Sequence, residues 1–169
     1  YKTMRNIYFN YALNQIPKIL TLMDRNKHSP TYGCFDRNYW HYKIIDFPSG
    51  MSQEFVLPLA LAYKLKNPEN PYYKNKSIKD FVISGINFAI KSSHKDGSCD
   101  DYYPYEKAAG ATAFSLLACI YSYELLEIKE DDFEKFFEKR ANWLIKNTES
   151  GQLSNHEALI ILSLILTSR

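Results

Sequence analysis

Apolar residues along the chain recur at helical rather than strand spacing. Between Met4 and Met23, Ile7, Tyr11, Asn14 and Lys18 fall on one side, and Tyr8, Ala12, Ile16, Ile19 and Met23 on another. This predicts a first helix, kinked at Pro17. A long loop, Asp24 to Pro48, separates it from a second helix over Gln53 to Leu65, apolar nearly all round despite Pro58. Pro68 and Pro71 break the chain between Asn67 and Asn75. Ser77 and Asp80 have the spacing of a capping box, with Asp in the usual Glu place, and open a third, amphipathic helix that runs to about Ser92. A loop containing Asp96-Gly97-Ser98 leads to a fourth helix, Ala108 to Leu126, with Ala, Leu, Phe and Tyr on every face. Asp131 and Glu134 form another capping box at the start of the fifth, which sets Phe133, Phe136, Phe137, Ala141 and Leu144 against a face of Glu, Lys and Arg. The sixth, Asn155 to Leu166, is again apolar all round.

Odd helices therefore have one wet face, and even helices read as buried on all sides. That alternation predicts two layers, with outer amphipathic helices behind inner apolar ones. A ring or arc of helical hairpins produces it directly, and a solenoid of stacked hairpins is the nearest alternative. A repeat agrees with this. Asn87-Phe88-Ala89-Ile90-Lys91 matches Asn142-Trp143-Leu144-Ile145-Lys146, and Asp96-Gly97-Ser98 corresponds to Ser150-Gly151-Gln152 with one residue of slippage. Thr31-Tyr32-Gly33-Cys34 occupies the equivalent turn after the first helix. About three hairpins account for residues 1–169 as a single all-α domain.

Composition changes this picture at a few points. Aromatic residues make up 15% of the chain, including 14 tyrosines, and several lie in loops where core packing does not call for them. The net charge of +2 comes from well-mixed acids and bases, so no basic stripe argues for nucleic acid. Cys34, Cys99 and Cys119 form no CxxC pair and fit a reducing, cytoplasmic setting better than a disulfide framework. Cys119, within an apolar helix, reads as a small core residue. No signal peptide opens the chain, and the longest apolar run, Ala158 to Leu166, falls short of a membrane span. A chain starting at Tyr1 and stopping after an apolar helix at Arg169 reads as a fragment of something longer, so the remainder of its own chain is an expected partner.

Hairpin connectivity sorts the loops. Those following odd helices, Asp24 to Pro48, Ser93 to Lys107 and Thr148 to Ser154, belong at one end, together with the N-termini of the inner helices. Free backbone N–H groups there favour anions. The long loop supplies Asp36, Arg37, Trp40, His41, Tyr42, Lys43 and Asp46. The second supplies His94, Asp96, Asp100, Asp101, Tyr102, Tyr103 and Tyr105, and the third leads to Asn155, His156 and Glu157. Flat aromatic faces with Arg37 or Lys43 suit a pyranose ring bearing an acidic group. Each residue also has a plainer role. Asp36 and Arg37 suit a loop ion pair, Asp96 before Gly97 a turn, and Glu157 a capping box with Ser154. His156 suits packing, and His28 and His94 suit solvated positions. Cys34, Asp36, His41, Cys99, Asp100 and His156 include metal-ligand types, but no local spacing dictates a cluster, so no metal or cofactor is assigned.

An outer helix, a Gly-containing turn and an apolar inner helix, repeated, resemble the α/α toroid proteins, which include terpenoid cyclases, protein prenyltransferases, polysaccharide lyases and glycoside hydrolases. The run from Ser29 to Lys43, with Asp46-Phe47-Pro48-Ser49, Asn70-Pro71-Tyr72-Tyr73, Asp96-Gly97-Ser98 and Asn155-His156-Glu157-Ala158, is similar to a poorly characterised bacterial toroid family associated with polysaccharide gene clusters. Toroids close with more than three hairpins, so the resemblance implies an open arc or part of a domain. It does not extend to cyclase chemistry at the residue level. Asp96, Asp100 and Asp101 form no DxDD motif, and Asp100-Asp101-Tyr102-Tyr103-Pro104 is not DDxxD. The expectation is a carbohydrate-active enzyme, a lyase, hydrolase or epimerase acting on an acidic oligo- or polysaccharide. His41, Tyr42, Asp36, Asp96 and Asp100 are its candidate acid–base residues, and Arg37, Trp40, Lys43, Tyr102, Tyr103, Tyr105, Asn155 and His156 its candidate substrate contacts. The alternatives are a non-catalytic segment that binds a glycan or a protein, and a terpenoid cyclase or prenyltransferase-like enzyme.

Overall fold

The computed structural model describes residues 2–147, 151 and 153–169. Every regular element among them is a helix. They are α1 (Lys2–Leu13), α2 (Ile16–Leu22), α3 (Arg37–Trp40), a 3-10 turn (Gly50–Phe55) running straight into α4 (Val56–Lys64), α5 (Lys76–Ser92), α6 (Ala109–Leu125), α7 (Asp131–Lys146) and α8 (Ser154–Thr167). Among the described residues no helix is long and apolar enough to cross a membrane.

The helices gather around α6. It packs against the 3-10 turn, α4, α5, α7 and α8. Small residues allow that crowding. Gly110, Ala111, Ala113, Ser115, Ala118 and Ser122 of α6 are all buried. The hydroxyls of Ser115 and Ser122 donate back to the carbonyls of Ala111 and Ala118, so neither needs a partner from another helix. α5 and α7 bury one face each, Ile78, Val82, Ile86 and Ala89 in one, and Phe133, Phe136, Phe137, Ala141 and Leu144 in the other. The repeated pentapeptides Asn87–Lys91 and Asn142–Lys146 lie at the equivalent C-terminal ends of these two amphipathic helices. Ser150 and Gln152, in the second copy of the repeated turn, lie outside the described residues.

Four sequence expectations change. The first helix is two, because the chain breaks at Asn14 and Gln15 and Pro17 occupies the first turn of α2, where its missing N–H costs nothing. The third begins one residue early, capped by Asn75, whose side chain accepts from the Ser77 amide at 2.9 Å. The boxes expected from Asp131 and from Ser154 with Glu157 do not form, since neither α7 nor α8 has a side-chain cap bond; the acidic first turn of α7 instead faces its helix dipole. Most consequentially, α8 is not buried all round. It touches α6 and α7, and leaves Ile161, Leu162 and Ile165 exposed on its far side. The deeper burial expected of the even helices holds for α6 and fails for α8.

Buried polar groups pin the layers together. Arg140 of α7 is 1% exposed and forms no ion pair among the described residues; its guanidinium donates to the Thr112 carbonyl at 3.3 Å, to Ser115 Oγ and to Ser93 Oγ, over the Phe136 ring. Gln53 does the same for the 3-10 turn. Its Oε1 accepts from the Phe35 amide at 3.0 Å, while Nε2 donates to the carbonyls of Gly33 at 3.1 Å and Gly85 at 2.7 Å. Gly33 is the residue this junction requires. Its φ is +94°, and a Cβ there would stand 2.1 Å from the Ser84 carbonyl oxygen.

Gln53→Leu should lower the unfolding free energy by about 3 kcal/mol, measured by chemical denaturation, because it strands one amide and two carbonyls away from water. All three cysteines are free and buried, and burial pushes the thiols of Cys34 and Cys119 up to about 12. A thiol reagent should therefore label the native protein far more slowly than the denatured chain, with all three sites reacting once it unfolds.

Candidate functional site

The long loop closes on itself before it reaches the site. Asp24 and Cys34 are joined by an amide-to-carbonyl bond of 2.8 Å, Gly33 returns one of 2.9 Å to Asp24, and Thr31 Oγ1 donates to the Asp24 carboxylate at 2.6 Å. The next turn is set by Asp36, which is 7% exposed. Its Oδ1 accepts from the amides of Asn38 and Tyr39 as the N-cap of α3, and its Oδ2 accepts from the Ser49 amide at 2.9 Å. Ser49 then reaches the second loop. Its hydroxyl donates to Asp101 Oδ1 at 2.5 Å, and the Gly50 amide donates to the Asp100 carbonyl at 2.7 Å. The loops before α4 and α6 thus meet at the helix N-termini, and His156 in the first turn of α8 packs edge-on to Phe114 of α6, ring centroids 5.5 Å apart.

The second loop is built around carboxylates. Asp100 Oδ1 is 2.8 Å from His94 Nε2 and accepts from the Lys107 amide, while Oδ2 accepts from the Tyr105 amide at 2.8 Å. Glu106 Oε2 collects the amides of Asp101, Tyr102 and Tyr103. Asp96 bonds Ser98 and forms a 2.7 Å pair with Lys107. So many inward amides turn the side chains outward. Tyr102, Tyr103 and Tyr105 are 77%, 69% and 83% exposed, and Tyr105 and Lys107 have φ values of +63° and +53°, a backbone region non-glycine residues seldom occupy. The Tyr105 ring lies tilted against His94 at 5.9 Å.

The sequence candidates divide accordingly. Asp96 and Asp100 sit in the second loop with the three tyrosines. Asp36 caps the N-terminus of α3 with both oxygens taken by backbone amides. Arg37 does not pair with Asp36; its Nη1 donates to the Thr21 carbonyl and its guanidinium lies 5.3 Å from the centre of the Tyr42 ring. Trp40 donates to the Leu22 carbonyl at 2.7 Å, so α3 is tied back to the end of α2. His41 is exposed, edge-on between Trp40 and Tyr42, and hydrogen-bonds no carboxylate. Lys43, at φ +53°, and Asn155 are exposed.

Four residues outside the sequence-based choice belong here. His94, read as solvated, is held by Asp100, and Ser49 and Asp101 join the two loops. Glu54, in the 3-10 turn, is half-buried and makes no side-chain hydrogen bond; burial, with the nearby charge of Asp101, raises its carboxyl above the ordinary range. Asp96 and Asp100 go the other way. Burial alone would raise Asp96, but hydrogen bonds from Lys107 and Ser98 and the Lys107 charge outweigh it and bring it to about 2. Burial opposes the Asp100 shift too, and the Lys107 amide, His94 and the Tyr105 amide outweigh it, lowering the carboxyl. Among the described residues no three His, Cys, Asp or Glu side chains converge as a metal-ligand set.

These shifts have opposite pH signs. Asp96 and Asp100, depressed in the folded state, contribute stability that is complete above the unfolded carboxylate value and is lost as pH falls through their folded values. Glu54, raised, stabilises the fold while it is protonated and loses that contribution as pH rises through its folded value. Melting temperature should therefore drop on acidification below about pH 4, and Asp100→Asn should flatten that drop. Glu54→Gln should raise the melting temperature at neutral pH and leave it unchanged at about pH 3.

Compared with protein-family models, curated proteins and solved structures, the chain matches none of them.

Proposed function

We propose that the protein is a carbohydrate-active segment of an α/α toroid that moves a proton on a polysaccharide, with His94 as the base. The observation that carries this reading is the His94–Asp100 pair, 2.8 Å apart beside the exposed Tyr102, Tyr103 and Tyr105, in a loop joined to the aromatic long loop through Ser49 and Asp101. Asp100 accepts from Nε2 and so leaves Nδ1 to take a proton. The packing of the amphipathic α5 and α7 against the small-residue helix α6 supports the toroid placement.

An acidic polysaccharide is the substrate class that fits best with such a base, because a carboxylate acidifies the adjacent ring C–H. With Arg37 engaged at Thr21 and Lys107 paired with Asp96, recognition of that carboxylate falls to the exposed Lys95, next to His94 in sequence. In a lyase step His94 takes the proton on the carbon next to the carboxylate and that electron pair forms the ring double bond. The bond from the neighbouring carbon to the glycosidic oxygen breaks, and the Tyr105 hydroxyl protonates the departing oxygen. In an epimerase the same abstraction is followed by reprotonation on the opposite face. The open tyrosines are what a glycan platform needs without any chemistry, so they favour a binding module as the second reading.

A panel of uronic-acid and neutral oligosaccharides distinguishes these readings. Ultraviolet absorbance reports an unsaturated product, solvent deuterium entering recovered sugar reports epimerisation, and thermal shift reports binding. Turnover or deuterium uptake should appear with acidic sugars, and His94→Ala should lower kcat by about 10²-fold while the protein stays folded and melts only slightly lower, through loss of the bond to Asp100. His41→Ala should affect KM and leave kcat unchanged. Stabilisation without turnover identifies the binding module, and no response to any sugar removes the carbohydrate reading.

A further inference from the structure

Where the 3-10 turn passes into α4, the backbone sets Phe55, Leu57 and Pro58 opposite Phe114, Leu117 and Ala118 of α6. Between them runs an open groove of about 250 Å³ whose one charged lining residue is Glu54. The walls are almost entirely carbon, so a polyhydroxylated sugar would leave its hydroxyls unpartnered against them. An aliphatic chain would not.

The groove has an electrically uncompensated end. Glu54 is half-buried with no side-chain hydrogen bond among the described residues, and the charge acting on it is a second carboxylate, Asp101, whose Oδ1 is held by Ser49. Desolvating a carboxylate without a donor or counter-charge is unfavourable. The missing component is a cation with N–H donors, and an organic anion would meet two like charges. The Arg140 guanidinium is held by Thr112, Ser115 and Ser93, and Lys107 is paired with Asp96, so neither serves Glu54.

We propose that this groove is a second ligand site, for a primary ammonium group carried on an aliphatic chain, with the ammonium at Glu54 and the chain along Leu57, Pro58, Phe114 and Leu117. The site is separate from the His94 mouth and stands whether or not a saccharide binds there. It predicts a selectivity in which both ends of the ligand count: the amine for Glu54, and the chain length for the carbon walls.

The probes are hexylamine, ethylamine, hexan-1-ol and hexanoate, titrated into the protein while the methyl resonances of Leu57, Leu117 and Ala118 are followed by NMR. Hexylamine should move these methyls saturably and bind about tenfold tighter than hexan-1-ol, with ethylamine weaker than both and hexanoate inactive. Glu54→Gln should weaken hexylamine by about tenfold, down to the level of hexan-1-ol, whose own binding stays as in the parent; that unchanged alcohol binding shows the groove is still folded. Leu117→Asn should weaken hexylamine and hexan-1-ol together. Equal affinity for amine and alcohol in the parent, full hexylamine affinity in Glu54→Gln, or no saturable movement of the groove methyls would each overturn the proposal. Oligosaccharide that moves His94 without displacing hexylamine would support two separate sites, whereas competition between them would contradict that separation.

Discussion

The Gln53 carboxamide, 2% exposed, stands where the long loop, the 3-10 turn and α5 come together, and water cannot substitute for the three backbone groups it satisfies. A buried carbonyl or amide left alone costs about 1–3 kcal/mol, so the three must be met by one side chain in one geometry. That requirement fixes Gly33 against Ser84, sets Phe35 in the core, and delivers Asp36 to the N-terminus of α3. From there Asp36 holds Ser49, and Ser49 holds Asp101. The linked loops are therefore an extension of a buried junction rather than independent surface segments.

Arg140 plays the corresponding part behind the second loop. Its buried guanidinium links Ser93, at the end of α5, to Thr112 and Ser115 of α6, and so fixes both ends of the segment that carries His94 and Asp100. Gly97, at φ +92°, lets the turn lie against α7, where a Cβ would come within 3.0 Å of the Arg140 amide. With its ends held, the loop organises its interior around Asp100 and Glu106 and tolerates left-handed backbone at Tyr105 and Lys107. Rigid support beneath an outward-facing aromatic loop is what a site needs if its groups are to be positioned before a ligand arrives.

Periodicity made most of the helices legible, because α5 and α7 each carry an amphipathic pattern that admits one register and α6 is an apolar run of helical length. It could not reveal the exposure of α8. Apolarity records what a helix is able to bury, and the presence of a neighbour is a property of the assembled chain. Pro17 was visible but ambiguous, since the same residue kinks a helix or opens one. His41 drew attention because Trp40 and Tyr42 flank it, whereas His94 acquires its partner only when the loop from Asp96 to Lys107 folds back through the Asp100 amide contacts. Asp36, before Arg37-Asn38-Tyr39, carried the signature of an N-cap, obscured by the shortness of α3. Glu54 had no legible signal, because its isolation depends on Asp101, 47 residues away in sequence.

The central claim is that the chain's chemistry resides at His94 rather than at the more conspicuous His41. Four histidines, His28, His41, His94 and His156, give distinct ring C–H resonances through which it can be tested. Titration with a uronic-acid oligosaccharide, followed by two-dimensional NMR of the imidazoles, should shift His94 saturably while His28 stays fixed. Movement of His41 with His94 unaffected, or no movement of any histidine, would contradict the account.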